Sequence, residues 1–167
     1  KLLEFSRNFG NQMSITAGLK YCKGDLVIVI DDDLEDPPEI IPELVKKSQE
    51  GYDVIYAIRK SRKISALKNL VYKTYYRILS SLSDIKIPEN SGDFCLMNRS
   101  VVNTLNSMPE KNRYIRGLRA WTGFNQTGIT FNREARHSGV SGFSLKKYFK
   151  FAFDGIFSFS LLPLSYV

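Results

Sequence analysis

Asp31, Asp32 and Asp33 stand in a row, and Glu35, Asp36 and Glu39 follow within six positions. Carboxylates at such spacing repel one another unless a cation or a row of hydrogen-bond donors compensates them. A hard divalent ion, Mg²⁺ or Mn²⁺, takes carboxylate oxygens together with the phosphate oxygens of a substrate. Asp31 and Asp33, two positions apart where the chain leaves extended geometry, are able to turn toward one such ion and a diphosphate, with Glu35 adding a third oxygen. The competing use of these acids is to start the next helix. Asp36-Pro37-Pro38-Glu39 reads that way: an N-cap Asp, a Pro at the first helical position and a Glu at the third make a capping-box pattern. Asp31 and Asp33 stand too far from that helix for it to explain them, although a DxD pattern is short and recurs by chance.

The acids follow directly on Leu26-Val27-Ile28-Val29-Ile30, a continuous apolar run. Continuity rather than alternation predicts a central parallel strand over 25–30, covered on both faces. A helix is predicted over 9–22, with Gly24 placed to stop it, and a second over 37–50, with Gly51 as its stop. Residues 53–58 supply another buried strand, and 1–5 read as a strand at the start of the chain. Helix, strand, helix, strand is the grammar of an α/β fold with a parallel sheet. Such sheets bind ligands beyond the carboxyl ends of their strands, which is where the acids stand.

Farther along, Leu67, Leu70, Val71, Thr74, Tyr75, Ile78 and Leu82 recur at helical spacing and predict one long helix over 64–82, with Lys68, Lys73 and Arg77 on its other face. A short strand over 93–97, a short helix over 99–107 closed by Pro109, and a strand over 128–132 complete the pattern. The helix predicted over 144–157 sets Phe149 and Phe153 against Lys146, Lys147 and Lys150, the composition of a helix lying in a membrane interface. The apolar run 156–167 is shorter than the roughly 20 residues that cross a bilayer.

Composition bounds the partners. With 43% hydrophobic and 25% charged residues in 167, the chain is long enough and apolar enough for one globular domain. Twenty-four Lys and Arg against 17 Asp and Glu give a formal charge of +7, which points to an anionic partner: nucleic acid, an acidic membrane or phosphorylated small molecules. A nucleic-acid-binding module accounts for that charge but not for an acid cluster in its groove. Cys22 and Cys95 have no CxxC spacing and read as reduced core residues. His137 has no metal-ligand partner near it in sequence, and Trp121 reads as a core or membrane contact.

An ordered set of segments resembles the family 2 glycosyltransferases, and within them the dolichol-phosphate mannosyltransferase and bactoprenol glucosyltransferase group. The set runs from Ser6-Arg7-Asn8-Phe9-Gly10-Asn11-Gln12 through Thr16-Ala17-Gly18-Leu19, Gly24-Asp25, the acids 31–39 and Gly51-Tyr52-Asp53-Val54. It continues through Arg59 and Arg62, Ser91-Gly92-Asp93-Phe94, 133–139, Phe153-Asp154-Gly155 and Ser158-Phe159-Ser160, nearly the whole chain. The resemblance implies a GT-A, Rossmann-like fold, an inverting reaction and a divalent metal, Mg²⁺ or Mn²⁺, on the diphosphate of a nucleotide-sugar donor. By position Asp31 and Asp33 match the family's DxD acids, and Glu35 stands where the family usually has Gln. Asp93 matches the acid beside the acceptor, Arg59 and Arg62 basic positions suited to the acceptor phosphate, and Arg133 and Arg136 a loop that closes over the donor. After Gly139-Val140-Ser141 the family often has Lys-Tyr, whereas this chain has Gly142-Phe143.

The expected organisation is a catalytic domain over 1–143 without the family's N-terminal nucleotide-binding part, then a juxtamembrane helix and the start of a transmembrane segment over 144–167. The expected partners are a nucleotide-diphosphate sugar, a polyprenyl phosphate and the cytoplasmic face of the cell membrane, without nucleic acid, and a homo-oligomer is compatible with the sequence. The function expected is transfer of the sugar to the lipid phosphate. A relative acting on a saccharide or protein acceptor would share the acids without needing an interfacial helix, and a non-catalytic anion-binding module would need only the charge.

Overall fold

Among the described residues the apolar runs become four strands: β1 (Leu26–Val29), β2 (Val54–Arg59), β3 (Ser91–Asn98) and β4 (Gln126–Phe131). Four α-helices accompany them: α1 (Asn11–Tyr21), α2 (Ile41–Gln49), α3 (Arg99–Ser107) and α4 (Ile115–Trp121). The computed structural model describes residues 1–33, 35–59, 91–111 and 113–131. The helices predicted over 64–82 and 144–157 lie outside these residues.

The strand order is β1-β3-β2-β4. β3 is antiparallel to both its neighbours, whereas β2 and β4 are parallel. β1 and β2 therefore point the same way, as the βαβ pattern requires, but β3 lies between them and runs against both. The sheet is mixed, and the parallel pairing expected of the strand over 25–30 is corrected: β1 pairs antiparallel with β3. A continuous run records burial on two faces; it carries no information about the direction of the neighbouring strand. β1 ends the described sheet on one side, with Leu26 and Ile30 exposed, so it is not the central strand that its composition suggested.

Side chains alternate across a strand, and β3 shows how this divides the core. Cys95 and Met97 enter one layer with Leu19 of α1, Val101, Val102 and Leu105 of α3, and Ile115 and Leu118 of α4. Phe94 and Leu96 enter the other with Leu44 of α2, Ile55 and Ala57 of β2, and Ile129 and Phe131 of β4. Phe94 and Phe131 meet edge to face with centroids 6.1 Å apart. Burial of one such side chain contributes about 1.5–3 kcal/mol, so the two layers fix the strand parity firmly. By that parity Asp93 belongs to the face that carries α1, α3 and α4.

Residues 1–5 form no strand, contrary to the sequence expectation. No described strand pairs with them, and Leu2 is 87% exposed. The start of α1 is set by the turn that follows. Asn8 Oδ1 accepts from the Gly10 N–H at 2.8 Å, and Gly10 adopts φ 87°, ψ 163°, a region open essentially to glycine alone. This turn makes Asn11 and Gln12 the first two residues of the helix.

A Cβ built on Gly10 meets nothing within 4 Å, so Gly10→Ala would strain the backbone without a steric clash. The expected loss is about 1–3 kcal/mol of stability, read as a lower urea midpoint at unchanged slope.

Candidate functional site

Because β1, β2 and β4 share one direction and β3 opposes them, the carboxyl ends of three strands and the beginning of β3 meet at one end of the sheet. Asp31 lies two residues past β1, Arg59 closes β2 and Asp93 is the third residue of β3. The β1–β3 register pairs Val29 with Cys95, and just beyond that pair the charge of Asp93 acts on the Asp31 carboxyl. Burial first, then the charges of Asp93 and Asp33, push the Asp31 carboxyl above its ordinary range, and Arg59 partly opposes them. Asp33 folds back locally, its Oδ1 accepting from the Glu35 N–H at 3.1 Å. Glu35 is buried, at 7% exposure.

Asp36 has a different role from the helix cap expected of it. The turn after it is a short 3-10 segment, Pro38–Ile40, whose N-cap is Pro37 and which has no side-chain cap. The Asp36 side chain is instead completely buried and pairs with Arg59, whose Nη2 lies 3.2 Å from Oδ1 and 3.5 Å from Oδ2. Burial raises the Asp36 carboxyl above its ordinary value despite the pull of Arg59. Arg59 also passes beside Gly92, where an added Cβ would lie 3.4 Å from Nη2. The guanidinium thus lies against the backbone of β3 at Gly92. The pair ties the acidic loop to the end of β2.

Asp93 is held by donors on both oxygens. Arg116 Nη2 lies 3.3 Å from Oδ1, while Gln12 Nε2 and Asn11 Nδ2 donate to Oδ2 at 3.3 and 3.5 Å. Sequence reading assigned Asp93 but missed Arg116 and gave no role to Asn11 and Gln12. The signal available for the last two was their place directly after the Gly10 turn. Arg119, one turn beyond Arg116, is buried with its guanidinium 5.8 Å from the centroid of the Tyr56 ring. Trp121 is 59% exposed and does not belong to the core. Arg62, Arg133, Arg136, His137 and the interfacial set Lys146, Lys147, Phe149, Lys150 and Phe153 lie outside the described residues.

A divalent cation suits this donor set. Asp31 and Asp33 supply hard oxygens, and the elevated Asp31 carboxyl reflects a negative crowding that a cation would relieve. Among the described residues, no group of three or more His, Cys, Asp or Glu is arranged to hold a metal alone. The remaining coordination would therefore come from phosphate oxygens and water, the usual habit of Mg²⁺. Among the described residues no helix is long and apolar enough to cross a membrane.

Residues 1–105 match the family model described as Glycosyl transferase family 2. A protein of Synechocystis sp. described as an uncharacterized glycosyltransferase is 48% identical over 98% of this chain and 52% of its own length. The bactoprenol glucosyl transferase of Shigella phage SfV is 40% identical over 97% of this chain and 53% of its own length. The prophage bactoprenol glucosyl transferase homolog of Escherichia coli matches at the same identity and coverage. The chain thus spans about half the length of the curated relatives it matches.

Removing one partner of the Asp36–Arg59 pair should expose the cost of burying the other. Breaking a fully buried pair costs roughly 3–5 kcal/mol. Arg59 is 28% exposed, so about 2 kcal/mol is expected for Arg59→Gln and less for Asp36→Asn, which leaves unpaired only the partly exposed guanidinium of Arg59. The folded-state value of Asp36 already lies above its unfolded value, and loss of Arg59 raises it further. The ionised form is the penalised one, so the Arg59→Gln deficit should grow as pH rises above that value and shrink toward acid. Urea titrations at pH 5 and pH 8 check both the order and the slope.

Proposed function

The chain belongs to the family 2 glycosyltransferases, and we propose that it carries the metal- and acceptor-binding part of an enzyme that transfers a sugar from a nucleoside diphosphate to a polyprenyl phosphate, with inversion at the anomeric carbon. The observation that carries this reading is the meeting of Asp31, Asp93 and Arg59 at one end of the sheet, with Asp33 charge-coupled to Asp31. The names of the relatives from Shigella phage SfV and Escherichia coli support a lipid phosphate as the acceptor. The GT-A arrangement, the donor and the acceptor are parts of this proposal, as are the cytoplasmic membrane face and the domain division at residue 143.

In the proposed reaction an oxygen of the acceptor phosphate attacks the anomeric carbon, and the bond from that carbon to the diphosphate oxygen breaks on the opposite side. The electron pair leaves with the nucleoside diphosphate. Mg²⁺ or Mn²⁺, held by Asp31 and Asp33 with Glu35 nearby, would supply charge neutralisation to that leaving group. A phosphate acceptor is already anionic near neutrality, so no strong base has to generate it. This suits the state of Asp93, whose two oxygens both accept hydrogen bonds: it orients the acceptor or sugar rather than removing a proton. Arg59, already aligned by Asp36, presents a guanidinium to the acceptor phosphate, and Arg62 would add a second. Arg133 and Arg136, in the segment after β4, would cover the donor diphosphate. The basic and aromatic residues Lys146, Lys147, Phe149, Lys150 and Phe153 would hold the site at the membrane surface.

The test is a screen of the full-length protein with UDP- and GDP-sugars, undecaprenyl phosphate and Mg²⁺ or Mn²⁺, with extraction of lipid-linked product. Asp33→Ala is expected to reduce product formation by at least about 10²-fold, the scale on which loss of leaving-group stabilisation acts. Product formed equally well by Asp33→Ala, or in the presence of EDTA, would overturn the assignment.

A further inference from the structure

Gln12 uses both ends of one side-chain amide to join parts of the fold that are far apart in sequence. Its Oε1 accepts from the backbone N–H of Ile115, at the first residue of α4, at 2.9 Å. Its Nε2 donates to Asp93 Oδ2 at 3.3 Å. A backbone N–H only donates and an ionised carboxylate only accepts, so the amide has a single workable orientation. Asn is a methylene too short to span the two, and Glu has no donor when ionised.

The next residue of α4, Arg116, holds the other oxygen of Asp93 at 3.3 Å. The first turn of α4 therefore acts on Asp93 twice, once directly and once through Gln12. The third member, α1, is launched by the glycine-only conformation of Gly10, which sets where Gln12 begins. Repulsion between Asp31 and Asp93 favours swinging the Asp93 carboxylate away from the strand end, and these donors oppose that swing.

We propose that Gln12 is a positioning residue for sugar transfer: by bridging the Ile115 amide and Asp93, it fixes the direction in which the Asp93 carboxylate faces the reacting groups. The inference rests on the reading of this sheet end as the transfer site.

The test compares Gln12→Glu and Gln12→Met in the full-length protein, using undecaprenyl phosphate and whichever UDP- or GDP-sugar the parent turns over. Gln12→Glu keeps an oxygen to accept the Ile115 N–H but sets a carboxylate against Asp93. At pH 7.5 its kcat should fall roughly 10- to 100-fold, the scale of a small misplacement in an active site, with donor KM changed less than about 3-fold. The introduced carboxyl would face Asp93, with Asp31 beyond β1, Asn11 on α1 and Arg116 on α4 around it. Two carboxylates this close share a proton readily, which restores a donor. The ratio of Gln12→Glu to parent kcat should therefore rise as pH falls from 8 to 6. Gln12→Met can neither accept nor donate, so its kcat ratio should stay flat with pH and amide exchange at the start of α4 should quicken. In Gln12→Glu that exchange should stay slow.

Gln12→Glu with parental kcat throughout would overturn the inference. So would a loss that is constant with pH and matched by a fall in melting temperature. A parent that forms no lipid-linked product would overturn the reading of the site and this inference with it, whereas an active parent with an unaffected variant overturns the inference alone.

Discussion

The charges of Asp31, just past β1, and Asp93, near the start of β3, repel each other, and the sheet end supplies the groups that oppose this repulsion. Two carboxylates brought together beside a buried core are unfavourable unless the neighbourhood supplies positive charge and donors. The protein does so asymmetrically. Asp93 receives Arg116, Gln12 and Asn11, while among the described residues the attraction that Asp31 feels comes from Arg59. Asp93 thereby has donors on both of its oxygens, and Asp31 is left with negative charge that a bound cation can use.

The sheet topology is what makes this economical. With β3 antiparallel between β1 and β2, its first residues arrive where the other strands finish, so acids and arginines from distant segments meet at one end of the sheet. The two core layers lock strand parity, which sends Asp93 toward α1 and α4. On the other side of the acidic loop, Asp36 and Arg59 tether the chain between β1 and α2 to the end of β2. The loop that bears Asp33 and Glu35 is thus anchored at both of its ends.

Much of this was legible in the sequence, and what was not has identifiable causes. Apolar runs and glycine stops located the elements: the helix over 99–107 matches α3 at both boundaries. The direction and place of β3 were not readable, because strand pairing is a long-range property that no local pattern encodes. Asp36 was misread because Asp-Pro-Pro-Glu has a strong local meaning, while its actual partner, Arg59, is 23 residues away. α4 went unseen because Gly117 and the arginines at 116 and 119 interrupt its apolar face, and Arg119 is buried where a charge is not expected. The acids 31–33 were conspicuous because three carboxylates in a row are a charge pattern that the sequence alone displays. The donors that hold Asp93 were inconspicuous because Asn and Gln acquire meaning only from what the fold brings within reach.

The central claim is that the negative charge at Asp31 is maintained at a cost to the fold because it serves a cation and a diphosphate. Thermal unfolding of the full-length protein and of Asp31→Asn, with and without Mn²⁺ and UDP or GDP, tests this most directly. The folded-state value of Asp31 is raised, so its ionised form is penalised above that value and the penalty fades toward acid. The account predicts that at pH 7.5 Asp31→Asn melts above the parent when free of ligand, that this advantage shrinks as pH falls, and that Mn²⁺ with diphosphate raises the melting temperature of the parent alone. A variant that melts below the parent at pH 7.5, or one stabilised by Mn²⁺ and diphosphate as strongly as the parent, would contradict it.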